Sequence, residues 1–132
     1  MKKIKISQEY IRCLWSELYH LPDEIYGLNL NNISSINKLI NDYLIHKIKL
    51  RSVSWAYRFK GSLKYAVNFW DDVELESLYN GSMPAIPLPS TIPVREFYIH
   101  VWNALYPDES YKIENPSDYI LLDNSATNSF RW

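Results

Sequence analysis

The sequence VSWAYRFKGSLKYAVNF, at residues 53–69, alternates large apolar side chains with small or polar ones. A period of two residues is typical of a β-strand that buries one face. The pattern predicts an antiparallel β-hairpin, with strands at about 53–59 and 63–69 and residues 60–62 as its loop. A three-residue loop brings every large apolar side chain onto one face of the hairpin, which a two-residue loop would not do.

Two helices are predicted before the hairpin, at 7–20 and 32–49. In both segments the apolar residues recur every three or four positions and therefore share one face of a helix. The first stripe contains Ile11, Leu14, Trp15 and Leu18, and the second contains Ile33, Ile36, Ile40, Tyr43, Leu44 and Ile48. Ser7 fits the N-cap of the first helix, and Pro22 ends that helix.

The segments after the hairpin predict further helices and one irregular stretch. Acids at the start of 71–80 and Gly81 after its end favour a short helix, with a third strand as the alternative. Repeated prolines make residues 81–93 an extended, proline-rich loop. The apolar stripe at 93–106 predicts a buried helix. Residues 119–122 then form a short strand or an apolar segment that packs on the core.

Together these segments predict a single α+β domain that covers residues 1–132. Its core would join the two N-terminal helices, the aromatic face of the central hairpin and the helix at 93–106. With 132 residues, the chain is long enough to bury such a core without disulfides or metals. The one cysteine, Cys13, permits no intramolecular disulfide, which favours a reducing, cytoplasmic environment. No stretch is apolar for long enough to cross a membrane, so no membrane association is expected.

The sequence contains no motif typical of catalysis, cofactor binding or metal coordination. Its three histidines, His20, His46 and His100, are too far apart to predict a shared metal ion. Three glycines in the whole chain form neither a nucleophile elbow nor a phosphate-binding loop. We therefore predict no catalytic residue, no metal, no cofactor and no enzymatic activity. A small enzyme would require distant carboxylates or His100 to converge in one pocket.

The formal net charge of −1 conceals a strong asymmetry along the chain. Residues 1–70 contain 11 Lys and Arg against 5 Asp and Glu, whereas residues 71–132 contain 3 against 10. The basic segment 47–64 combines cations with aromatic residues, a pattern found in proteins that bind single-stranded nucleic acid. The predicted hairpin, however, puts its aromatic side chains and most of its cations on opposite faces. A nucleic-acid-binding accessory protein is therefore the alternative interpretation.

The acidic half of the chain predicts a surface for a basic protein partner. The candidate partner-binding residues are Asp71, Asp72, Glu74, Glu76, Asp108 and Glu109. An acidic surface accelerates association with a basic partner and favours the correct orientation. The chain also has 5 Trp, 11 Tyr and 4 Phe, and aromatic side chains dominate the binding energy of many interfaces. A protein-binding inhibitor of a basic protein, such as a nuclease, is the leading prediction.

In size, absence of catalytic motifs and A/T-biased composition, the chain resembles the immunity proteins that are encoded beside bacterial toxins. The acidic run Asp71-Asp72-Val73-Glu74-Leu75-Glu76 is part of this likeness, which extends to immunity proteins of contact-dependent growth inhibition. The resemblance implies a cytoplasmic protein that binds one cognate toxin tightly and covers its active site. These proteins differ widely in fold, so the resemblance implies no particular binding residue.

Overall fold

Helices dominate the computed structural model, which describes residues 3–122. The elements in chain order are β1 (Ile4–Ile6), α1 (Gln8–Ser16), α2 (Asp23–Tyr26), α3 (Ile33–Leu39), a π-helical turn (Ile40–Leu44), α4 (Ile45–Lys49), α5 (Val53–Phe69), α6 (Asp72–Asn80), α7 (Val94–Leu105), a 3-10 turn (Pro116–Asp118) and β2 (Tyr119–Leu121). β1 and β2 pair in parallel, with Ile4 beside Tyr119 and Ile6 beside Leu121. The described residues contain no other strand, so the predicted α+β class with its central hairpin is wrong.

The segment predicted as a hairpin, 53–69, is the continuous helix α5. Its large apolar side chains at positions 55, 59, 63 and 67 are spaced by four residues. That spacing satisfies the strand period of two and also keeps the side chains near one face of a helix. The sequence pattern was therefore compatible with both structures. The Ser52 hydroxyl accepts a hydrogen bond from the Trp55 amide at 3.0 Å, which caps the helix and favours its formation.

Gly61, predicted as the middle of the hairpin loop, lies inside α5 where β1 crosses the helix. A Cβ atom at Gly61 would lie 2.7 Å from Cγ2 of Ile4 and 3.4 Å from Cγ2 of Ile6. The next residue, Ser62, is buried, and its hydroxyl accepts a hydrogen bond from the Ser7 amide at 3.1 Å. The small residues at 61–62 therefore do not form a turn. They allow β1 to pack directly on the backbone of α5.

The helices predicted on either side of the hairpin are confirmed with shifted ends. α1 begins after Ser7, whose hydroxyl accepts from the Glu9 amide, and it ends earlier than predicted, at Ser16. The helices predicted at 71–80 and 93–106 are α6 and α7, so the alternative of a third strand at 71–80 is wrong. The apolar segment predicted at 119–122 contributes the strand β2.

The helix predicted at 32–49 is present, but a π-helical turn at Ile40–Leu44 interrupts it. Its inward positions include 36, 40, 44 and the partly buried 48, which are four residues apart, and each such step advances an ideal helix by about 40° beyond a full turn. The wider π turn offsets this drift. Within it, the Tyr43 hydroxyl reaches the carbonyl oxygens of Glu17 and His20, at 3.1 and 3.2 Å. The π-helical turn therefore also places a hydrogen-bond donor beside backbone carbonyl oxygens that follow the end of α1.

Aromatic side chains fill the centre of the core. Trp15 of α1 donates from Nε1 to the Tyr98 hydroxyl at 3.0 Å, and that hydroxyl donates to the Leu75 carbonyl at 2.7 Å. The chain of two hydrogen bonds joins α1, α7 and α6. Tyr79 and Phe97 pack against the Trp15 ring, with centroid distances of 5.1 and 5.8 Å. Much of the unusual aromatic content thus serves internal packing.

We expect Gly61→Ala to destabilise the fold by about 1 kcal/mol, because overpacking costs about 1–3 kcal/mol and exceeds the gain in helix propensity of about 1 kcal/mol. In the Ile4→Ala background the obstructing Cγ2 atom is absent, so the same substitution should instead stabilise the protein. Urea denaturation of the four variants measures both effects. An equal effect in the two backgrounds would show that Ile4 does not require glycine at this position.

We expect Tyr98→Phe to lower the free energy of unfolding by about 1–3 kcal/mol, because the indole N–H of Trp15 and the carbonyl of Leu75 lose a buried partner. Tyr26→Phe is the matched control, since the Tyr26 side chain is largely exposed. Thermal unfolding followed by circular dichroism compares the two variants. Equal midpoints for Tyr98→Phe and the wild type would contradict the structural role of this hydroxyl.

Candidate protein-binding face

α6 is a short helix whose start is stabilised by its own acidic residues. Oδ1 of Asp71 accepts a hydrogen bond from the Glu74 amide at 2.8 Å, which caps the helix. Carboxylates in the first turn also interact favourably with the positive end of the helix dipole. On its inner side, Leu75, Leu78 and Tyr79 are buried in the core. The outer side of α6 is consequently held in a fixed orientation.

The outer side of α6 brings together three of the six predicted binding residues. Asp71, Asp72 and Glu76 are exposed there around Val73, whose side chain is 75% exposed. We call these four residues the acidic face. Asp72 contacts the Arg95 guanidinium at 3.1 Å, and this guanidinium also donates to carbonyl oxygens of α5 and the residue after it. The acidic face therefore has three exposed carboxylates around one exposed aliphatic side chain, and one of them, Asp72, is already paired with Arg95.

Glu74, also predicted as a binding residue, is turned away from the acidic face. It is partly buried, and its Oε2 accepts a hydrogen bond from Nε2 of Gln8 at 2.6 Å. Since Gln8 is the first residue of α1, this contact joins α6 to α1. Glu74 has a structural role, which its position in the run of acids did not indicate.

Asp108 and Glu109 lie at the opposite end of α7 from the acidic face. Asp72 contacts Arg95 near the start of α7, whereas Asp108 and Glu109 follow its last residue. The 12 residues of α7 span about 18 Å at a rise of 1.5 Å per residue. The structure therefore places the four predicted residues of 71–76 on α6 or at its cap, and the other two beyond the far end of α7.

Glu109 is paired with cations from the basic half of the chain. Its carboxylate lies 2.5 Å from Nζ of Lys60 and 3.5 Å from Nζ of Lys64. The hydrogen bond from Lys60, supported by the charges of both lysines, holds the pKa of Glu109 below its ordinary value. The negative charge of Glu109 is therefore already balanced within the protein, so this carboxylate is less available to a partner.

Most cations of segment 47–64 are likewise engaged inside the protein. Lys60 and Lys64 lie over the rings of Tyr106 and Trp102, at 4.9 and 5.8 Å from the centroids. Two arginines contact α1 or the residue after it: Arg58 donates to the Tyr10 hydroxyl at 3.2 Å, and Arg51 lies 3.9 Å from Glu17. Lys47 lies over the Tyr43 ring, 5.2 Å from its centroid. Because 53–69 is a helix, its aromatic side chains and cations do not lie on opposite faces of a hairpin as predicted. The segment nevertheless offers few unengaged cations to a nucleic acid.

A groove that no sequence pattern indicated lies beside the acidic face. It encloses about 450 Å³ and is lined by Glu76 and by residues 88–94 of the proline-rich loop. Oδ1 of Asn31 accepts hydrogen bonds from the amide and hydroxyl of Thr91, both at 2.8 Å, which fixes this wall of the groove. The prolines indicated an extended path, but they did not indicate that the path borders α6.

The described residues contain no group of three or more His, Cys, Asp or Glu side chains that could hold a metal ion. Burial raises the pKa of the Cys13 thiol, although the Arg51 guanidinium lies 3.4 Å from its sulfur, so the nucleophilic thiolate is disfavoured.

Comparison with known proteins adds no relative. No protein-family model, curated protein or solved structure matches this chain. The resemblance to immunity proteins therefore stays a prediction. Between residues 3 and 122, no helix combines the length and apolar character needed to cross a membrane.

We expect Lys60→Met to raise the pKa of Glu109 towards the ordinary glutamate value of about 4.3, because the hydrogen bond that lowers the pKa is lost. The ion pair stabilises the fold at neutral pH. Its contribution to the free energy of unfolding is lost as the pH falls from about 4.3, the ordinary pKa, through the lowered pKa of Glu109. Carboxyl carbon chemical shifts, measured by NMR against pH, report the change. Lys112→Met is the control, and an unchanged titration in Lys60→Met would contradict the pairing.

Proposed function

We propose that this protein is a non-enzymatic, protein-binding inhibitor that uses the acidic face to bind a basic partner. The observation that carries the proposal is the placement of Asp71, Asp72 and Glu76 around exposed Val73 on a helix anchored by its buried side. Asp71 caps α6 and Asp72 contacts Arg95, so these two carboxylates are held in place before binding and less conformational entropy is lost on association. Their charge would also attract a basic surface over a distance of about 10 Å.

We further propose that the partner is a nuclease-like toxin and that this protein is its cytoplasmic immunity protein. A nuclease needs cations to bind phosphate, so its active site presents the charge that the acidic face would complement. Carboxylates placed on those cations would compete with the nucleic-acid backbone, and the body of the inhibitor would block access to the active site. The groove next to Glu76 offers space for an aliphatic stem of a partner lysine or arginine.

Nucleic-acid binding by segment 47–64 is the weaker candidate. The cations that would contact phosphate are largely those already paired with Glu109 and Glu17 or placed over aromatic rings. Binding a nucleic acid there would break these contacts before it formed new ones. The acidic face requires no such rearrangement, apart from the contact between Asp72 and Arg95.

We expect the immobilised protein to retain a basic protein from a lysate of its source cells, and Glu76→Lys to reduce the amount retained by about tenfold, equivalent to about 1.4 kcal/mol. Asp108→Lys is the matched control, because Asp108 is exposed at the other end of α7. Quantitative mass spectrometry compares the retained proteins at low and high salt, and thermal unfolding checks that both variants fold. Equal retention by the wild type and Glu76→Lys, or retention that salt does not weaken, would contradict the proposal.

A further inference from the structure

The corner between α4 and α5 exposes three large apolar side chains in close succession. Leu50 follows α4, Val53 begins α5, and Tyr57 lies one turn later; they are 81%, 88% and 58% exposed. We call these three residues the α4–α5 corner. Single exposed apolar residues are ordinary, whereas a group of them marks a surface that gains free energy when it is covered.

The corner borders a groove whose walls are largely apolar. The groove encloses about 420 Å³, and its apolar lining comes from Ile48, Val53, Ala56, Tyr57 and Tyr106. Tyr106 forms the wall opposite α5. Its ring contacts Trp102 at a centroid distance of 4.5 Å, and Nζ of Lys60 lies 4.9 Å from its centroid. The groove is therefore preformed and has space for one large side chain.

Cations surround this groove. Lys49, Arg51 and Lys60 contribute to its lining, and Lys47 lies in the same turn of α4. Arg51 and Lys60 are partly balanced by Glu17 and Glu109, whereas Lys49 is exposed to solvent. No Asp or Glu occurs between Tyr43 and Trp70. The charge of this surface is therefore opposite to that of the acidic face.

We propose that the α4–α5 corner is a second docking site, which binds a protein segment carrying one large apolar side chain flanked by carboxylates. The apolar side chain would fill the groove between Tyr57 and Tyr106. The carboxylates would contact Lys49 and, by charge, the cations at the rim. This site is separate from the acidic face and its partner has the opposite charge, so the inference does not depend on the proposed function.

A protein segment fits these observations better than a membrane surface does. Stable attachment to anionic lipid uses clusters of about four to eight basic residues, whereas two of the four cations here already have carboxylate partners. The apolar site is a shallow, open groove of about 420 Å³, in which one projecting side chain can lie.

Peptide arrays test this proposal directly. The probes are 15-residue peptides in which one Leu, Phe or Trp is flanked by Asp and Glu, matched to peptides in which Ser or Lys replaces the acids. We expect the wild-type protein to bind the acid-flanked set most tightly. Val53→Glu and Lys49→Glu should each weaken binding of the best peptides by about tenfold, equivalent to about 1.4 kcal/mol, as measured by fluorescence polarisation.

Val73→Glu is the matched control, because it places the same substitution at an exposed valine of the acidic face. Glutamate at position 53 occupies the first turn of α5, where the helix dipole favours a negative charge, so this variant should fold. Thermal unfolding checks each protein. Equal binding of acid-flanked and Ser-flanked peptides, full binding by Val53→Glu and Lys49→Glu, or binding of phosphatidylserine vesicles without binding of peptides would overturn the proposal.

Discussion

Direct contact between the strand β1 and the backbone of α5 at Gly61 determines how the rest of this protein is arranged. Because position 61 has no side chain, Ile4 and Ile6 lie against the helix, and Ser62 binds the Ser7 amide. That hydrogen bond holds the start of α1 beside the middle of α5. α1 then carries Trp15 into contact with α6 and α7 through the hydroxyl of Tyr98. The orientation of the acidic face thus depends on a chain of contacts that begins at one glycine.

The sequence predicted helices well where their apolar spacing had one interpretation. The stripe at 93–106 alternates steps of three and four residues, which no strand can satisfy, and it became the buried helix α7. At 53–69 the large apolar side chains at 55, 59, 63 and 67 are four residues apart, and this spacing fits a strand and a helix equally well. Local signals for the helix did exist: Ser52 is a good N-cap, and Trp55, Phe59, Leu63, Ala66 and Trp70 fit a helical face. Gly61 favoured the wrong interpretation because a glycine marks either a turn or a close contact.

The candidate site was predictable only in part, because the order of charged residues in the sequence does not show where they lie in the folded protein. The run of acids at 71–76 correctly located a largely exposed helix start, but not that Glu74 turns inward to meet Gln8. Glu109 belongs to the acidic half of the sequence, yet it lies between Lys60 and Lys64 from the basic half. Long-range contacts of this kind follow from helix packing, and no local pattern encodes them. The folded protein therefore has less charge separation than the sequence suggested.

The π-helical turn at Ile40–Leu44 has a consequence for how the chain can vary in evolution. A π turn accommodates one residue more than a regular turn while the helix on each side keeps its inward face. Loss of a residue there leaves an ordinary helix, so this position tolerates a change in length. The opposite holds around Gly61, where an inserted residue would rotate the next part of α5 by about 100° and place a side chain under β1. Homologous sequences should thus differ in length at the π turn and keep a constant length through the middle of α5.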